Sequence, residues 1–569
     1  MKGIGASPGI AIGKALVINK QVIKTTGIAL QNEEEVIIEL EKFHHAVTSA
    51  VGEVNLLIQE LSLQGDKNTA AIMEVLVELL QDEQIAVDII EKIKTEYKTA
   101  NDAVIEVIDN AAEMFRNMKD EYFSARAADV QDTGSRLIKH LNGSSSLMES
   151  IPAGSIMIAE DLTPSDTIAL DITKIIGFVT QAGGKTSHTA IIAKSKGIPA
   201  IVGYGAGIAG IQTNDILIID GSDGTIIVNP TEEEIIDYKA RQASFIKHLT
   251  MLQSLKNVSA KTPDDVRITL LANISNAQDM EEAFDFGAEG SGLLRTEFLF
   301  MARNSPPGEE EQFEFYKSIA LKAKGKPVTV RTLDIGGDKP LPYFNLPSEQ
   351  NPFLGYRAIR ICLDRKDIFF TQLSAILRAS AFGGLRIMFP MISNISELRE
   401  AKSVLNDVKS HLHVHNIPFN QHIEIGIMVE IPSAAITADI LAKEVDFFSI
   451  GTNDLCQYAL AVDRMNEQVK HLYDPFNPGV LRLIQNVIEQ GNKHNVHVGM
   501  CGELAGDPLA TLLLIGMGLR EFSMSAASIP YIKNIIVNNS FTSAREIYKT
   551  VMEMDSSENI TSYLKEIAK

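Results

Sequence analysis

Residues 183–188, with the sequence GGKTSH, combine residue types that suit phosphoryl chemistry. The two glycines free the backbone to turn sharply and to approach a ligand closely. An apolar run over residues 189–193 follows directly, so Thr186 or Ser187 can cap a helix that begins there. A helix start at this point places unpaired N–H groups and the positive end of the helix dipole beside the His188 imidazole. The segment therefore predicts an anion next to the imidazole, and so a histidine that carries a phosphoryl group.

Three other interpretations concern glycine-rich or histidine-containing segments of this kind. A nucleotide-binding loop of the Gly-x-x-x-x-Gly-Lys-Ser/Thr type is excluded, because its first glycine would fall on Val179. Residues 205–210 match Gly-x-Gly-x-x-Gly, but a strand-like run follows them instead of the helix that a dinucleotide site requires. A structural histidine at position 188 remains open from the six residues alone.

A second set of polar residues follows short apolar runs in the C-terminal half of the chain. Its members are Arg295, Arg331, Glu430, Asn453, Asp454, Cys501 and Glu503. Two further arginines, Arg357 and Arg464, come from nearby segments, and guanidinium groups clamp phosphate and carboxylate oxygens with a geometry that lysine cannot reproduce. The carboxylates of Glu430 and Asp454 can hold Mg²⁺, and the Cys501 thiol can protonate a carbon centre because its reference pKa is about 8.5. The set predicts phosphoryl transfer from a small, highly anionic substrate.

Short apolar strands alternate with helical segments from residue 262 to the end of the sequence. The predicted strands cover residues 268–272, 292–294, 328–330, 387–389, 425–429, 447–450, 496–498 and 521–524. About 300 residues of this alternation predict a (β/α)₈ barrel. Chemistry in such barrels lies at the C-terminal ends of the strands, which is where the polar set falls.

The first half of the chain predicts an α/β domain that is interrupted by a helical block. Apolar residues recur at helical spacing from about residue 32 to 141, without a single proline, which indicates a bundle of helices. Strand-like runs precede and follow this block. We therefore predict a multidomain α/β protein with four regions: a phosphohistidine α/β domain over 1–20 plus 147–228, an inserted helical domain over 21–146, a helical linker over 229–261, and a TIM-type barrel over 262–569.

Size, charge and cysteine content limit the classes of function. The 569 residues suffice for three or four domains, and a formal net charge of −21 argues against a general affinity for nucleic acid or anionic membranes. No apolar run reaches the ~18 residues that span a bilayer, and the N-terminus has no apolar segment of signal-peptide length. Cys362, Cys456 and Cys501 form no disulfide framework, which favours a reducing, cytoplasmic setting.

Six motifs together carry a family resemblance. They cover residues 6–11 (ASPGIA), 183–188 (GGKTSH), 290–298 (GSGLLRTEF), 334–339 (DIGGDK), 450–455 (IGTNDL) and 500–507 (MCGELAGD). In this order, and over essentially the whole chain, the sequence resembles the Enzyme I family, the phosphoenolpyruvate-protein phosphotransferases of the bacterial sugar phosphotransferase system. The resemblance implies that His188 takes the phosphoryl group from phosphoenolpyruvate at Nε2, with release of pyruvate. It also implies transfer of that group to a histidine of the histidine-containing phosphocarrier protein.

The resemblance further implies roles for the side chains that would bind the substrate. In the family, the counterparts of Arg295 and Arg331 hold the phosphate, and those of Arg357 and Lys339 lie near it. The family counterparts of Asn453 and Arg464 hold the substrate carboxylate.

The remaining roles implied by the resemblance concern metal binding and proton transfer. The counterparts of Glu430 and Asp454 bind Mg²⁺, and that of Cys501 protonates the departing enolpyruvate. The counterpart of Thr167 hydrogen-bonds the active histidine. Two further residues are matched to supporting positions, Gly451 and Glu503.

The resemblance also implies partners and motions. The family acts as a homodimer through the barrel, docks its carrier protein on the helical domain, and swivels its α/β domain about the linker. Gln131 and Leu76 stand where relatives carry arginine and histidine, so the docking surface is where this chain departs from the family. The downstream carrier and sugar systems are not evident from the sequence.

Two alternative functions belong to different classes. A dikinase or phosphoenolpyruvate synthase shares the swivelling histidine and the barrel, but it requires a nucleotide-binding domain and nothing in the sequence resembles one. A regulatory or docking protein without turnover is the other alternative. The intact His188, Glu430, Asp454, Arg464 and Cys501 argue against it.

Overall fold

The computed structural model shows two compact units, Met1–His248 and Leu249–Lys569. It describes residues 2–18, 25–63, 73, 76–116, 121–142, 151–160, 172–184, 189–190, 193–194, 197–301, 303, 305–337, 342–344, 349–466 and 468–568. Each unit contains its own hydrophobic core. Within these ranges, no helix combines the length and the apolar character needed to cross a membrane.

A seven-stranded mixed sheet lies in the first unit. Its strands are β1 (Ile4–Ser7), β2 (Ile10–Ile18), β3 (Ser155–Ala159), β4 (Ile175–Thr180), β5 (Ala200–Val202), β6 (Ile216–Asp220) and β7 (Thr225–Val228). The spatial order is β1-β5-β4-β3-β2-β6-β7; β2 to β5 run parallel, while β1, β6 and β7 pair antiparallel with their neighbours. The central strands are apolar and buried, as expected for a sheet covered on both faces. The N-terminal strands therefore complete a sheet whose other strands follow the helical block.

Helices occupy the segment between β2 and β3. They include α1 (Glu33–Leu63), α2 (Glu83–Thr95), α3 (Ala100–Arg116) and α4 (Glu121–Asn142). Val54, Ile89 and Ile93 are fully buried at their centre, which agrees with the predicted bundle of amphipathic helices. Leu76 is buried in the same core, whereas Gln131 is exposed on α4. A leucine at position 76 therefore contributes to packing.

One long helix, α5 (Glu232–Ser254), follows the sheet at the position predicted for the connector. Thr231 and Glu234 form a reciprocal capping box at its start, because each side chain accepts the other residue's backbone N–H. Further along, Gln242 donates its Nε2–H to the Ile10 carbonyl at 2.7 Å, which ties the helix to β2.

The second unit is a closed barrel of eight parallel strands. These are β8 (Thr269–Ile274), β9 (Ser291–Leu294), β10 (Val328–Arg331), β11 (Leu385–Phe389), β12 (Ile425–Val429), β13 (Phe447–Ile450), β14 (His497–Met500) and β15 (Glu521–Met524). Their ends agree with the eight predicted strands to within two residues. The predicted fold class, a multidomain α/β protein with an inserted helical block and a TIM-type barrel, is confirmed, while the residue limits of the four predicted regions stay predictions.

Helices surround the barrel and connect its strands. They are α6 (Ala277–Asp285), α7 (Glu297–Phe300), α8 (Glu309–Lys322), α9 (Ile359–Asp364), α10 (Lys366–Ala379), α11 (Ile395–Val414), α12 (Pro432–Ile436), α13 (Ala438–Leu441), α14 (Thr452–Leu460), α15 (Pro478–Lys493), α16 (Pro508–Met517), α17 (Ile529–Asn538), α18 (Phe541–Met552) and α19 (Ser557–Ile567). Because they cover the outer surface, most residues of the barrel strands are apolar and buried.

A buried lysine fixes the chain that follows α5. The Lys533 ammonium donates to the carbonyls of Leu255, Lys256 and Gly287 at 3.0 to 3.3 Å, and burial lowers its pKa. Lys533→Met keeps the apolar stem but removes the ammonium donor from the carbonyls of Lys256 and Gly287, whereas the Leu255 carbonyl keeps the Val258 N–H. We therefore expect the free energy of unfolding to fall by about 2–3 kcal/mol. Urea unfolding followed by circular dichroism measures the loss.

The neighbouring Lys256 provides the control for this prediction. Its ammonium pairs with the exposed Asp285 at 2.8 Å, so Lys256→Met should cost less than about 1 kcal/mol. Hydrogen exchange of residues 250–258 should accelerate in Lys533→Met and stay unchanged in Lys256→Met. Equal stability of the two variants would contradict the assignment of Lys533 as the anchor.

Candidate active site

The C-terminal ends of five barrel strands bring together most of the predicted side chains. Arg331 is the last residue of β10, and Arg295, Glu430, Gly451 and Cys501 directly follow β9, β12, β13 and β14. Because all strands of the barrel run parallel, their C-terminal ends open onto one face. The predicted clustering at this face is therefore present in the structure.

A chain of buried ion pairs crosses this face. Arg331 contacts Glu297 through Nη2 and lies 3.1 Å from Asp334 Oδ2 through Nη1. On the other side of Asp334, the Arg357 Nη2 donates to its Oδ1 at 3.0 Å and lies 3.7 Å from Asp454 Oδ2. All five side chains are buried, so Asp334 holds two guanidinium groups in a fixed relative position.

The carboxylates keep both arginines charged despite their burial. Burial by itself lowers the pKa of an arginine, but the carboxylates of Glu297 and Asp334 outweigh it and raise the pKa of Arg331. The carboxylates of Asp334 and Asp454 do the same for the pKa of Arg357. Two permanent positive charges are thus available for an anionic substrate at the mouth of the barrel.

Two carboxylates at the ends of β12 and β13 are brought close together. Burial and the neighbouring charges of Asp454 and Asp334 raise the pKa of Glu430. Glu430 Oε1 accepts the Met391 N–H at 2.7 Å, whereas Asp454 Oδ1 is buried and has no hydrogen-bond partner among the described residues. A Cβ on Gly451 would lie 3.0 Å from Glu430 Oε2, so a larger residue there would crowd the Glu430 carboxylate.

The donor set of this acidic pair fits Mg²⁺. Glu297, Asp334, Glu430 and Asp454 place four buried carboxylates beside two buried arginines, which leaves an excess of negative charge that a divalent cation would balance. Mg²⁺ is commonly held by one or two carboxylates, with water and substrate oxygens completing its coordination. Among the residues that the structure describes, no group of three or more His, Cys, Asp or Glu side chains could hold a metal by itself.

Cys501 lies at the inner end of the site. Burial raises the pKa of its thiol to about 11, so the group is protonated at neutral pH. Leu293, Met388, Met428 and Phe447 form one apolar cluster with it inside the barrel. A protonated thiol at the edge of an apolar surface can donate a proton to a carbon atom.

Asn453, Glu503 and Arg464 form a second polar group at the same face. Asn453 Nδ2 donates to Glu503 Oε1 at 3.1 Å, and the Glu503 backbone N–H donates back to Asn453 Oδ1 at 2.9 Å. Arg464 Nη1 lies 4.0 Å from Glu503 Oε1, and the Arg464 backbone N–H donates to the side chain of Gln457. An amide and a guanidinium group thus converge on a carboxylate, which is the chemistry expected of a carboxylate-binding subsite.

Arg295 is exposed at a cavity of about 450 Å³ beside this group. Asn273, Glu503 and Met524 also line the cavity. Arg295 therefore borders a space the size of a small molecule, together with the acidic residues Asp279, Glu282 and Glu503.

Three predicted residues, His188, Lys339 and Thr167, lie outside the described residues, and the roles expected for them stay predictions. Described residues after His188 are helical, at positions 189–190 and 193–194, and Ala190 and Ala193 among them are fully buried. Gly183 has a φ of 100°, a conformation that favours glycine.

Sequence reasoning gave no role to several residues that organise the site. Glu297 and Asp334 fall within motifs that were recognised, but their contact with the arginines has no signal in the spacing. Tyr458 contacts Arg357 across 101 positions of the sequence. A carboxylate within three residues of a strand-end arginine is the pattern that could have pointed to Asp334.

Three family models cover most of the chain. The model of the N-terminal domain of PEP-utilising enzymes matches residues 2–126, that of their mobile domain matches 151–224, and that of their PEP-binding domain matches 250–541. The chain is thus a member of the PEP-utilising enzymes, where PEP denotes phosphoenolpyruvate.

Full-length relatives narrow this class. A phosphoenolpyruvate-protein phosphotransferase of Buchnera aphidicola is 45% identical, with 98% of each chain covered. Relatives of the same name from Haemophilus influenzae and Staphylococcus carnosus are 44% and 43% identical over 100% of this chain and 98% and 99% of theirs. A solution structure described as Enzyme I (nEIt) is 39% identical and covers 43% of this chain and 99% of that chain, with a TM-score of 0.37. The chain belongs to the family of phosphoenolpyruvate-protein phosphotransferases.

We expect Asp334→Asn to weaken both the fold and the activity of the barrel. Asparagine cannot balance the two buried guanidinium groups, and breaking a buried ion pair on one side typically costs about 3–5 kcal/mol. Thermal unfolding and the rate of phosphoryl transfer from phosphoenolpyruvate measure the two effects.

Asp367 offers a matched control for that substitution. It accepts two hydrogen bonds from Arg365 at 3.0 and 2.9 Å, but the pair is exposed. Asp367→Asn should therefore cost less than about 1 kcal/mol. A similar small loss in Asp334→Asn would show that the buried chain is not needed to hold the arginines.

Proposed function

We propose that the protein takes the phosphoryl group of phosphoenolpyruvate onto His188 and releases pyruvate. It then passes the group to the histidine-containing phosphocarrier protein of the sugar phosphotransferase system. The observation that carries the proposal is the buried Arg331–Asp334–Arg357 unit beside the acidic pair Glu430 and Asp454. Phosphoryl transfer depends on positioning and charge stabilisation more than on covalent chemistry, and this unit supplies both.

The substrate is bound through its two anionic groups in this proposal. Arg295 and Arg331 hold the phosphate, with Arg357 and Lys339 nearby. Asn453 and Arg464 hold the carboxylate, and their present convergence on Glu503 supports that role because Glu503 presents the same chemical group.

Glu430 and Asp454 would hold Mg²⁺, and the ion would supply positive charge to the phosphate and carboxylate oxygens of the substrate. The buried Asp454 Oδ1, which accepts no hydrogen bond from the described part of the chain, supports this assignment. Gly451 leaves space beside the Glu430 carboxylate.

The transfer step breaks the bond between phosphorus and the enol oxygen and forms a bond between phosphorus and Nε2 of neutral His188. Thr167 hydrogen-bonds this histidine and helps to orient it. The enolate that remains takes the proton of the Cys501 thiol at its terminal carbon and becomes pyruvate. The resulting thiolate then regains a proton from solvent.

Further parts of the proposal concern the setting of the enzyme. The helical domain, residues 21–146, docks the carrier, and the barrel, residues 262–569, forms a homodimer. The reaction takes place in the cytoplasm, which the three free cysteines support.

Labelling with phosphoenolpyruvate tests the proposal. Wild-type protein and His188→Ala are incubated with phosphoenolpyruvate carrying a labelled phosphorus and with Mg²⁺. We expect an acid-labile, base-stable label on the wild type, its absence from His188→Ala, and its transfer to added carrier protein. His44 lies on α1 in the helical block, and His44→Ala serves as the control that should keep the label.

Two outcomes would contradict the proposal. An equal amount of label on His188→Ala would show that another residue accepts the phosphoryl group. A label on the wild type that never passes to the carrier would favour a protein without productive turnover.

A further inference from the structure

Tyr458 joins three segments at the mouth of the barrel through one hydroxyl group. The side chain projects from α14, and its hydroxyl accepts a hydrogen bond from Arg357 Nη1 at 3.1 Å. The same hydroxyl donates to the Phe353 carbonyl at 2.5 Å and lies 3.9 Å from the sulfur of Met391. Segments that follow β10, β11 and β13 therefore meet at this atom.

The backbone around Arg357 is held in a demanding conformation. Ala358 has a φ of 52°, which an L-residue adopts at a cost, and it donates its N–H to the Ile335 carbonyl at 2.9 Å. A Cβ on Gly336 would lie 2.7 Å from the Cβ of Arg357. The main chain at Arg357 is thus held by its surroundings, and its guanidinium group is the part that still needs orientation.

The nitrogens of this guanidinium group have different partners. Nη2 lies 3.0 Å from the Asp334 carboxylate and 3.7 Å from the Asp454 carboxylate. Nε is buried and has no hydrogen-bond partner within the described ranges, and Nη1 donates to the Tyr458 hydroxyl. Of these three partners, Tyr458 is the neutral one, because burial raises the pKa of its hydroxyl to about 12. It therefore fixes the guanidinium plane without cancelling any of its charge.

We propose that Tyr458 is a positioning residue that holds the Arg357 guanidinium group in the orientation needed to bind the phosphate of phosphoenolpyruvate. The inference rests on the proposed function, which places Arg357 near the phosphate. A hydrogen bond to a charged group is among the stronger ones in proteins, and loss of orientation by a substrate-binding group reduces transition-state stabilisation.

Tyr458→Phe removes the hydroxyl and keeps the ring. We expect kcat/KM for phosphoenolpyruvate to fall about tenfold, with little change in thermal stability. Binding is measured separately on a His188→Ala background, where no transfer can occur. The affinity of His188→Ala/Tyr458→Phe for phosphoenolpyruvate in the presence of Mg²⁺ should also be about tenfold weaker than that of His188→Ala.

Tyr316 provides a closely matched control. Its fully buried hydroxyl accepts a side-chain N–H from Gln372, also at 3.1 Å, and no arginine of the described residues bonds to it. Tyr316→Phe thus loses the same kind of acceptor in the same barrel, and its kcat/KM should stay within about twofold of the wild type.

A double-mutant cycle separates positioning from a general structural effect. If Tyr458 acts through Arg357, adding Tyr458→Phe to Arg357→Ala should change kcat/KM by less than about twofold. Additive effects of the two substitutions would overturn the proposal, and so would unchanged kcat/KM and affinity in Tyr458→Phe.

The affinity measurement also separates this inference from the proposed function. If the wild type takes no label on His188, the proposed acceptor is wrong, yet the affinities of the two His188→Ala proteins still decide whether Tyr458 orients Arg357. If the label appears and the affinities are equal, the proposed function stands and Tyr458 is not a positioning residue.

Discussion

Cys501→Ala is expected to slow the formation of pyruvate by a factor of about 10²–10⁴, the range typical of a lost general acid. The thiol is protonated because burial raises its pKa to about 11, and alanine has no proton to donate at this position. Phosphoenolpyruvate binds through arginines and an amide in our proposal, so its affinity should change little. A loss confined to kcat is the signature of an interaction made only after binding.

Cys456 offers the control, because burial also raises the pKa of its thiol to about 11. It lies on α14 close to the site, and Cys456→Ala should keep pyruvate formation within about twofold of the wild type. Pyruvate is followed with a coupled assay, and phosphoenolpyruvate binding is measured on the same preparations. Full activity in Cys501→Ala would rule out the thiol as the acid that protonates the enolate.

Glu430→Gln is expected to reduce phosphoryl transfer by about 10²–10³, as for the removal of one electrostatic contact in a preorganised site. The substitution should also raise the thermal stability of the protein in the absence of Mg²⁺ and substrate. Glutamine removes a buried acid whose ionised form is disfavoured by burial and by the charges of Asp454 and Asp334, yet its side-chain oxygen can still accept the Met391 N–H. An increase in stability together with a loss of function is typical of residues that are kept for binding.

The pH dependence of stability gives a second measure of Glu430. Its pKa in the folded protein is raised above the ordinary 4.5, so the folded state retains a proton that the unfolded state releases above that pH. The wild type should therefore lose stability as the pH rises from 4.5 through the higher folded value. Glu430→Gln should lack this loss, and its advantage in melting temperature over the wild type should be larger at pH 8 than at pH 5.

Glu397→Gln is the matched control for this effect. Glu397 also accepts a backbone N–H at 2.7 Å, from Ser393, and it lies in the first turn of α11, where the helix dipole favours an acidic side chain. We expect no gain in melting temperature from this substitution at either pH. A melting temperature for Glu430→Gln that falls below that of the wild type at pH 8 would contradict the repulsion between Glu430 and its neighbours.

The barrel strands show how much of the fold can be predicted from local sequence patterns. Parallel strands covered by helices are apolar on both faces, so each appears in the sequence as a short apolar run with turn residues around it. The eight predicted strands agree with the observed strands to within two residues. Residues at their ends, such as Glu430 and Cys501, are predicted to lie at one face of the barrel. Topology alone makes that assignment, because every parallel strand ends on the same side.

Leu76 shows that a position-by-position comparison with relatives does not reveal whether a side chain is buried. In the sequence it stands out as a departure at a surface expected to dock a partner, whereas in the structure it fills the core of the helical block. Burial depends on which helices pack together. The pattern of one helix does not determine it.

The sequence by itself therefore determined the family, the order of strands and helices, and the residue types that gather at the mouth of the barrel, since these follow from local periodicity and from recurring motifs. Only the tertiary structure decided which of those side chains touch. Asp334 lies between Arg331 and Arg357, and Tyr458 reaches Arg357 across 101 positions. Such contacts depend on distances of a few ångströms between separate loops, and these distances are set by how the whole barrel closes.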